Sequence, residues 1–185
     1  MSHHVCPWWI GYLLASPLRK LWHDPHAVVS PYVTAGMTAL EPGPGMGFFT
    51  LELARLVGPG GRVVAVDVQP RMLSALRRRA ARVRLAERID ARLATDAGLG
   101  LADLQGRVDF ALLFAMVHEV EDPAAFFRDV TAALRTGGTV LLAEPRGHVP
   151  EPMFAATLER AAAHGLAVTA RPSIASSHAA VLTKN

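Results

Sequence analysis

One cysteine, Cys6, stands among the 185 residues, so no disulfide can form within the chain, and the composition fits a reducing compartment. Lysine is almost missing as well: Lys20 and Lys184 stand alone, and arginine supplies the remaining positive charge of a chain with a modest net +3. No apolar run approaches the ~20 residues of a membrane span. The run from Trp8 to Ala15 is short and has no Lys or Arg before it, which makes a poor signal peptide. These absences lead to an expected cytoplasmic location with no membrane span. His3, His4 and Cys6 lack a second pair of ligands, so no metal is expected. Half the residues (51%) are hydrophobic, enough for one domain that buries roughly 70% of its unfolded surface.

The chain is organised around Met37–Gly47, MTALEPGPGMG. A short apolar run of strand character leads to Glu41, then a glycine falls at every second position: Gly43, Gly45 and Gly47. A helical pattern, FFTLELARLVG, follows at once. A strand, a glycine turn and a helix start form a cradle for a nucleotide-like ligand, because glycines allow turn conformations and keep side chains out of its way. A dinucleotide site needs G-x-G-x-x-G and an acid about 20 residues on. Asp67 suits the acid, but counting from Gly43 the third glycine falls at position 48, which is Phe48.

Downstream, strands and helices alternate. Strands are expected at Met37–Glu41, Arg62–Asp67, Ile89–Thr95, Val108–Phe114 and Thr139–Glu144. Helices are expected from Gly47 to Val57, from Pro70 to Val83, from the Asp122-Pro123 cap to Gly137-Gly138, and from Glu151 to His164. In the second of these, Met72, Leu76, Ala80 and Val83 form a buried stripe, and the arginines between Arg71 and Arg88 read as a solvated face rather than a nucleic-acid ridge. Two closing β-type runs, Leu166–Arg171 and Ala179–Thr183, are joined closely enough for an antiparallel hairpin. The alternation implies right-handed βαβ units, a mostly parallel sheet with helices on both faces, and a ligand at the carboxyl ends of the strands. Before the sheet, Ser16-Pro17 and Asp24-Pro25 each signal a helix start.

Glu41 followed by G-x-G-x-G resembles motif I of the class I S-adenosylmethionine (SAM)-dependent methyltransferases, and the later motifs fall where that family has them. The resemblance implies an α/β, Rossmann-like doubly wound fold with a mostly parallel seven-stranded sheet and an antiparallel last strand. It implies SAM as cofactor and S-adenosylhomocysteine as product. It assigns cofactor binding to Glu41, Gly43, Gly45, Gly47, Asp67 (ribose hydroxyls), Val68 (adenine), Asp96 and Ala97 (adenine edge), and Phe114 and Ala115 beside the sulfonium. The segment Phe114–Val120, FAMVHEV, is similar to the loop of the small-molecule branch that includes ubiquinone-pathway enzymes. The Asn/Asp-Pro-Pro-aromatic tetrapeptide of amino-group methyltransferases, the Pro-Cys nucleophile of cytosine-C5 enzymes and the magnesium-holding acids of catechol-type enzymes are missing.

A small-molecule acceptor is therefore expected and nucleic acid is not, while a homodimer is left open. His118 is the candidate general base, and His148 a candidate substrate contact. Trp8, Trp9 and Tyr12 would line the substrate pocket from an N-terminal helical lid, residues 1–36, over a SAM-binding core, residues 37–185. Two alternatives stay open. One is an NAD-linked oxidoreductase, which lacks the Tyr-x-x-x-Lys pair of short-chain dehydrogenases. The other is a non-catalytic SAM- or RNA-binding module.

Overall fold

The computed structural model of the chain describes residues 24–95 and 98–185. Seven strands form one sheet: β1 Thr38–Pro42, β2 Arg62–Asp67, β3 Ile89–Leu93, β4 Val108–Phe114, β5 Leu134–Pro145, β6 Leu166–Ala170 and β7 Ser177–Lys184, in the order β3-β2-β1-β4-β5-β7-β6. The first five run parallel, and β7 lies antiparallel between β5 and β6. β2 and β4 have the residue ranges expected from sequence. Both are covered on two faces, and their centres, Val63–Val66 and Phe110–Phe114, read as apolar runs rather than alternating ones.

Alternation along each strand sorts the core into two halves. Ala111 and Leu113 of β4 face one side with Val64, Val140 and Leu182. There they meet Phe126, Phe127 and Val130 of α4 (Pro123–Ala133) and Phe154 and Leu158 of α5 (Glu151–Ala163). Phe110 and Leu112 face the other side with Val63, Leu141 and Val181. That half is closed by Val29 of α1 (Pro25–Val29), by Val33, and by Leu53 and Ala54 of α2 (Thr50–Leu56). Asp24 caps α1 by accepting from the His26 N–H at 2.9 Å, as its Asp-Pro signal anticipates. Tyr32 stacks on Phe110 with ring centroids 6.0 Å apart. Among the described residues no helix is long and apolar enough to cross a membrane.

Two sequence expectations are corrected. The helix expected to run to Gly137-Gly138 stops at Ala133, and Leu134 already pairs with Val108 as the start of β5. The carbonyls of its last turn are taken from outside. Gly106 N–H donates to Ala132 at 2.9 Å, Arg107 N–H to Ala133 at 3.0 Å, and Lys184 Nζ to Thr131 and Leu134 at 2.8 and 2.7 Å. Helix termini need such partners, and here the turn before β4 and the end of β7 supply them. The second correction concerns α3 (Pro70–Arg82), whose apolar stripe ends at Ala80. Val83 is 44% exposed. Arg84 takes a left-handed φ of 57°, and the reversal buries Leu85 in place of Val83. Arg71, Arg77, Arg78 and Arg82 are exposed along α3, as a solvated face requires.

Candidate active site

In this topology β1 is flanked by β2 and β4, and the crevice at their carboxyl ends is where a doubly wound sheet binds ligands. The glycine turn fills that position. Gly43 N–H donates to Val66 O at 2.8 Å, which ties the turn to β2. Gly43, Gly45 and Gly47 all have positive φ, at 69°, 53° and 85°. Their surroundings differ. A Cβ on Gly43 would sit 3.1 Å from the Cβ of Met116 in the loop after β4, and one on Gly47 would collide with Leu76 of α3. A Cβ on Gly45 would meet no atom within 4 Å. The middle glycine thus opens onto free space, and its two neighbours are packing positions.

Asp67 ends β2 and is 7% exposed. It accepts from the Gln69 N–H at 2.8 Å, and from the backbone of Gly45. Burial pushes its pKa up from 3.8 to about 6. The backbone N–H groups oppose that shift, and the negative charge of Glu119 adds to it. Val68, next along, is an apolar side chain left 60% exposed. Glu41 is buried at the end of β1. Phe114 packs on Phe49 with centroids 4.5 Å apart. Ala115 holds a left-handed φ of 55°, uncommon without glycine, while its N–H donates to Ala143 O at 2.8 Å. Asp96 and Ala97, and Trp8, Trp9 and Tyr12 with the rest of the segment before Asp24, lie outside the described residues.

The loop after β4 brings an imidazole onto a buried carboxylate. His118 Nδ1 lies 2.6 Å from Glu144 Oε2. The other oxygen, Oε1, accepts from the Val117 N–H at 2.8 Å and the His118 N–H at 3.3 Å. Glu144 is 1% exposed at the carboxyl end of β5. A carboxylate that deep needs such partners. With Nδ1–H donating to Glu144, Nε2 of neutral His118 carries the free lone pair. The hydrogen bond to Glu144 raises the His118 pKa above 6.5, with burial opposing it. His148, exposed on the turn after β5, places its ring 6.3 Å from that of His118.

Sequence reasoning passed over Glu144. The available signal was an acid closing the apolar run TVLLAE, where burial would demand a partner. Among the described residues no cluster of three or more His, Cys, Asp or Glu could hold a metal.

The open position at Gly45, the buried carboxylate of Asp67 and the exposed Val68 fit the sugar and base of an adenosyl group. The arrangement is that of a nucleotide-type cofactor enzyme with a doubly wound sheet. Residues 40–142 match the family described as a methyltransferase domain. The chain belongs to that family, the class I SAM-dependent methyltransferases, and its cofactor is SAM.

Among curated proteins it is similar to the ubiquinone biosynthesis O-methyltransferase of Methylocella silvestris, at 33% identity over 160 residues, 85% of this chain and 55% of that one. It is also similar to the arsenite methyltransferase of Halobacterium salinarum, at 32% identity over 117 residues, 63% of this chain and 29% of that one. The chain therefore spans between about a third and about half the length of these relatives. The fold matches a SAM-dependent methyltransferase from Aquifex aeolicus with a TM-score of 0.84 at 22% identity, covering 97% of this chain and 98% of that one.

Proposed function

We propose that this chain methylates a small-molecule acceptor whose attacking atom carries a removable proton, with His118 as general base and Glu144 as its positioning residue. The observation that carries this reading is the 2.6 Å contact between His118 Nδ1 and Glu144 Oε2 at the open sheet edge. SAM supplies a methyl group already activated on a sulfonium. The protein's part is to align the acceptor, exclude water and remove a proton. Glu144 holds the imidazole with Nε2 toward the acceptor, and the proton leaving the acceptor goes to that nitrogen. Asp67 accepts the ribose hydroxyls, Val68 lies against the adenine, and Gly43 and Gly45 pass closest to the methionine part. The names of the two curated relatives described above refer to small molecules, which favours a small acceptor over a nucleic acid. A cytoplasmic setting agrees with the lone Cys6.

Calorimetry with SAM, S-adenosylhomocysteine and NAD tests the cofactor half. Both adenosyl ligands are expected to bind, and tight NAD binding with no response to SAM overturns the reading.

Asp67→Asn separates stability from binding. The folded pKa of Asp67 is raised from 3.8 to about 6, so the native state holds its proton more tightly than the unfolded chain. That stabilisation is present at low pH and is lost as pH rises through about 4 to 6. Near pH 7 the charged side chain therefore destabilises the apo-protein, by up to ~3 kcal/mol at 1.36 kcal/mol per unit. The Asn variant is expected to melt higher without ligand and yet bind S-adenosylhomocysteine at least ~10-fold more weakly. Unchanged affinity in the folded variant would place the ribose elsewhere.

A further inference from the structure

A cavity of ≈ 320 Å³ opens at the carboxyl end of β5, lined in part by Arg146, Glu151, Phe154, Arg171, Ser177 and His178. Its charged groups come from separate segments. Arg146 lies on the turn after β5, Glu151 at the start of α5, Arg171 just past β6 and His178 on β7. The floor is fixed. Phe154 is fully buried, the His178 ring stacks on it at 5.4 Å, and the Arg171 guanidinium carbon lies 5.9 Å from its centroid.

Glu151 is the one acid of the lining, and it is already engaged. Its Oε2 lies 2.7 Å from His178 Nδ1, and its Oε1 lies 3.9 Å from Arg171 Nη1. Arg146 is exposed and makes no ion pair among the described residues. Two guanidiniums against one occupied carboxylate leave the cavity positive, with forked donors suited to an oxyanion.

The cavity is linked to the base through one turn. Arg146 N–H donates to Ser176 O at 3.0 Å, and His148 N–H to Pro145 O at 3.0 Å, so both ends of the Pro145–His148 turn are pinned. One end carries Arg146 at the cavity, and the other carries His148 against His118. Arg146 and His148 are two residues apart, so this one turn borders both the cavity and the His118 ring.

We propose that this cavity holds an oxyanion of the methyl acceptor, a carboxylate or a phosphate, between Arg146 and Arg171, which makes the acceptor an anionic small molecule. The inference rests on the reading of His118 as the base of a methyltransferase. The anion anchors one end of the acceptor and leaves the other at Nε2 of His118.

The test uses the full chain saturated with S-adenosylhomocysteine and followed by amide NMR. Benzoate, phenyl phosphate and neutral benzamide are titrated in turn into wild type, Arg146→Gln and Arg171→Gln. At least one anion is expected to shift the amides at Arg146, Arg171 and His178 saturably, while benzamide does not. Each substitution is expected to weaken that anion by at least ~10-fold while S-adenosylhomocysteine affinity stays unchanged. A response to benzoate alone assigns a carboxylate, and a response to phenyl phosphate alone assigns a phosphate. Three results overturn the proposal: no shift with either anion, equal binding of benzamide, or undiminished anion binding in both variants. Loss of S-adenosylhomocysteine binding in wild type instead refutes the methyltransferase reading, and an anion site that survives it is then no acceptor site.

Discussion

His118→Asn is expected to lower kcat by ~10²–10⁴-fold, the range for loss of a positioned general base, while S-adenosylhomocysteine affinity stays within about twofold. The imidazole lies in the loop after β4, and the cradle proposed for the cofactor lies on the glycine turn and Asp67, so the two functions are expected to separate. The pH profile carries more information than the rate. A base must be neutral to accept a proton, and Glu144 holds the His118 pKa above 6.5. Wild-type turnover should therefore rise with pH through a midpoint above 6.5. Stability moves the opposite way. The imidazolium–Glu144 pair stabilises the native state fully below about 6.5, the unfolded value, and that contribution is lost as pH rises through the higher folded value.

Glu144→Gln keeps the shape but removes the charge, so the midpoint should fall and the rate should drop less than in His118→Asn. A merely structural Glu144 would leave the midpoint where it was. Turnover is measured with labelled SAM and the acceptor it methylates. An unaltered rate and profile in folded His118→Asn would remove that side chain from the chemistry.

How much of this was readable beforehand depends on how local each determinant is. β2 and β4 could be read residue for residue because buried parallel strands are bounded apolar runs. The glycine turn was legible because its requirement, positive φ at Gly43, Gly45 and Gly47, is a property of residue type. The end of α4 was not, because its last carbonyls are satisfied by Gly106, Arg107 and Lys184. Local pattern put the stop at the next glycines. Val83 was assigned to the core because nothing in the helical period reveals the reversal at Arg84. His118 was found from its place after β4. Glu144, 26 residues away, enters the site only through the pairing of β4 with β5. The cavity around Arg146, Arg171 and His178 needs β7 to fold back between β5 and β6, an insertion invisible to periodicity.

Gly45→Val is expected to abolish measurable S-adenosylhomocysteine binding, a loss of at least ~100-fold, in a chain that still folds. Two costs combine. At φ 53° a β-branched residue resists the left-handed conformation by roughly 1–2 kcal/mol. The added isopropyl group also occupies the open space that the turn otherwise keeps clear. Moving the backbone to relieve the first cost would draw the Gly45 N–H away from Asp67, the carboxylate assigned to the ribose.

Gly47→Ala gives the contrast. Its new methyl group would run into Leu76, which is fully buried in α3, so a packing penalty of typically about 1–3 kcal/mol adds to the backbone strain of a φ of 85°. Thermal unfolding and calorimetry on the two variants should therefore cross over, with Gly45→Val losing the ligand more than the fold and Gly47→Ala the fold more than the ligand. If Gly45→Val binds as wild type does, the space at Gly45 is not where the cofactor lies, and the glycine run only turns the chain.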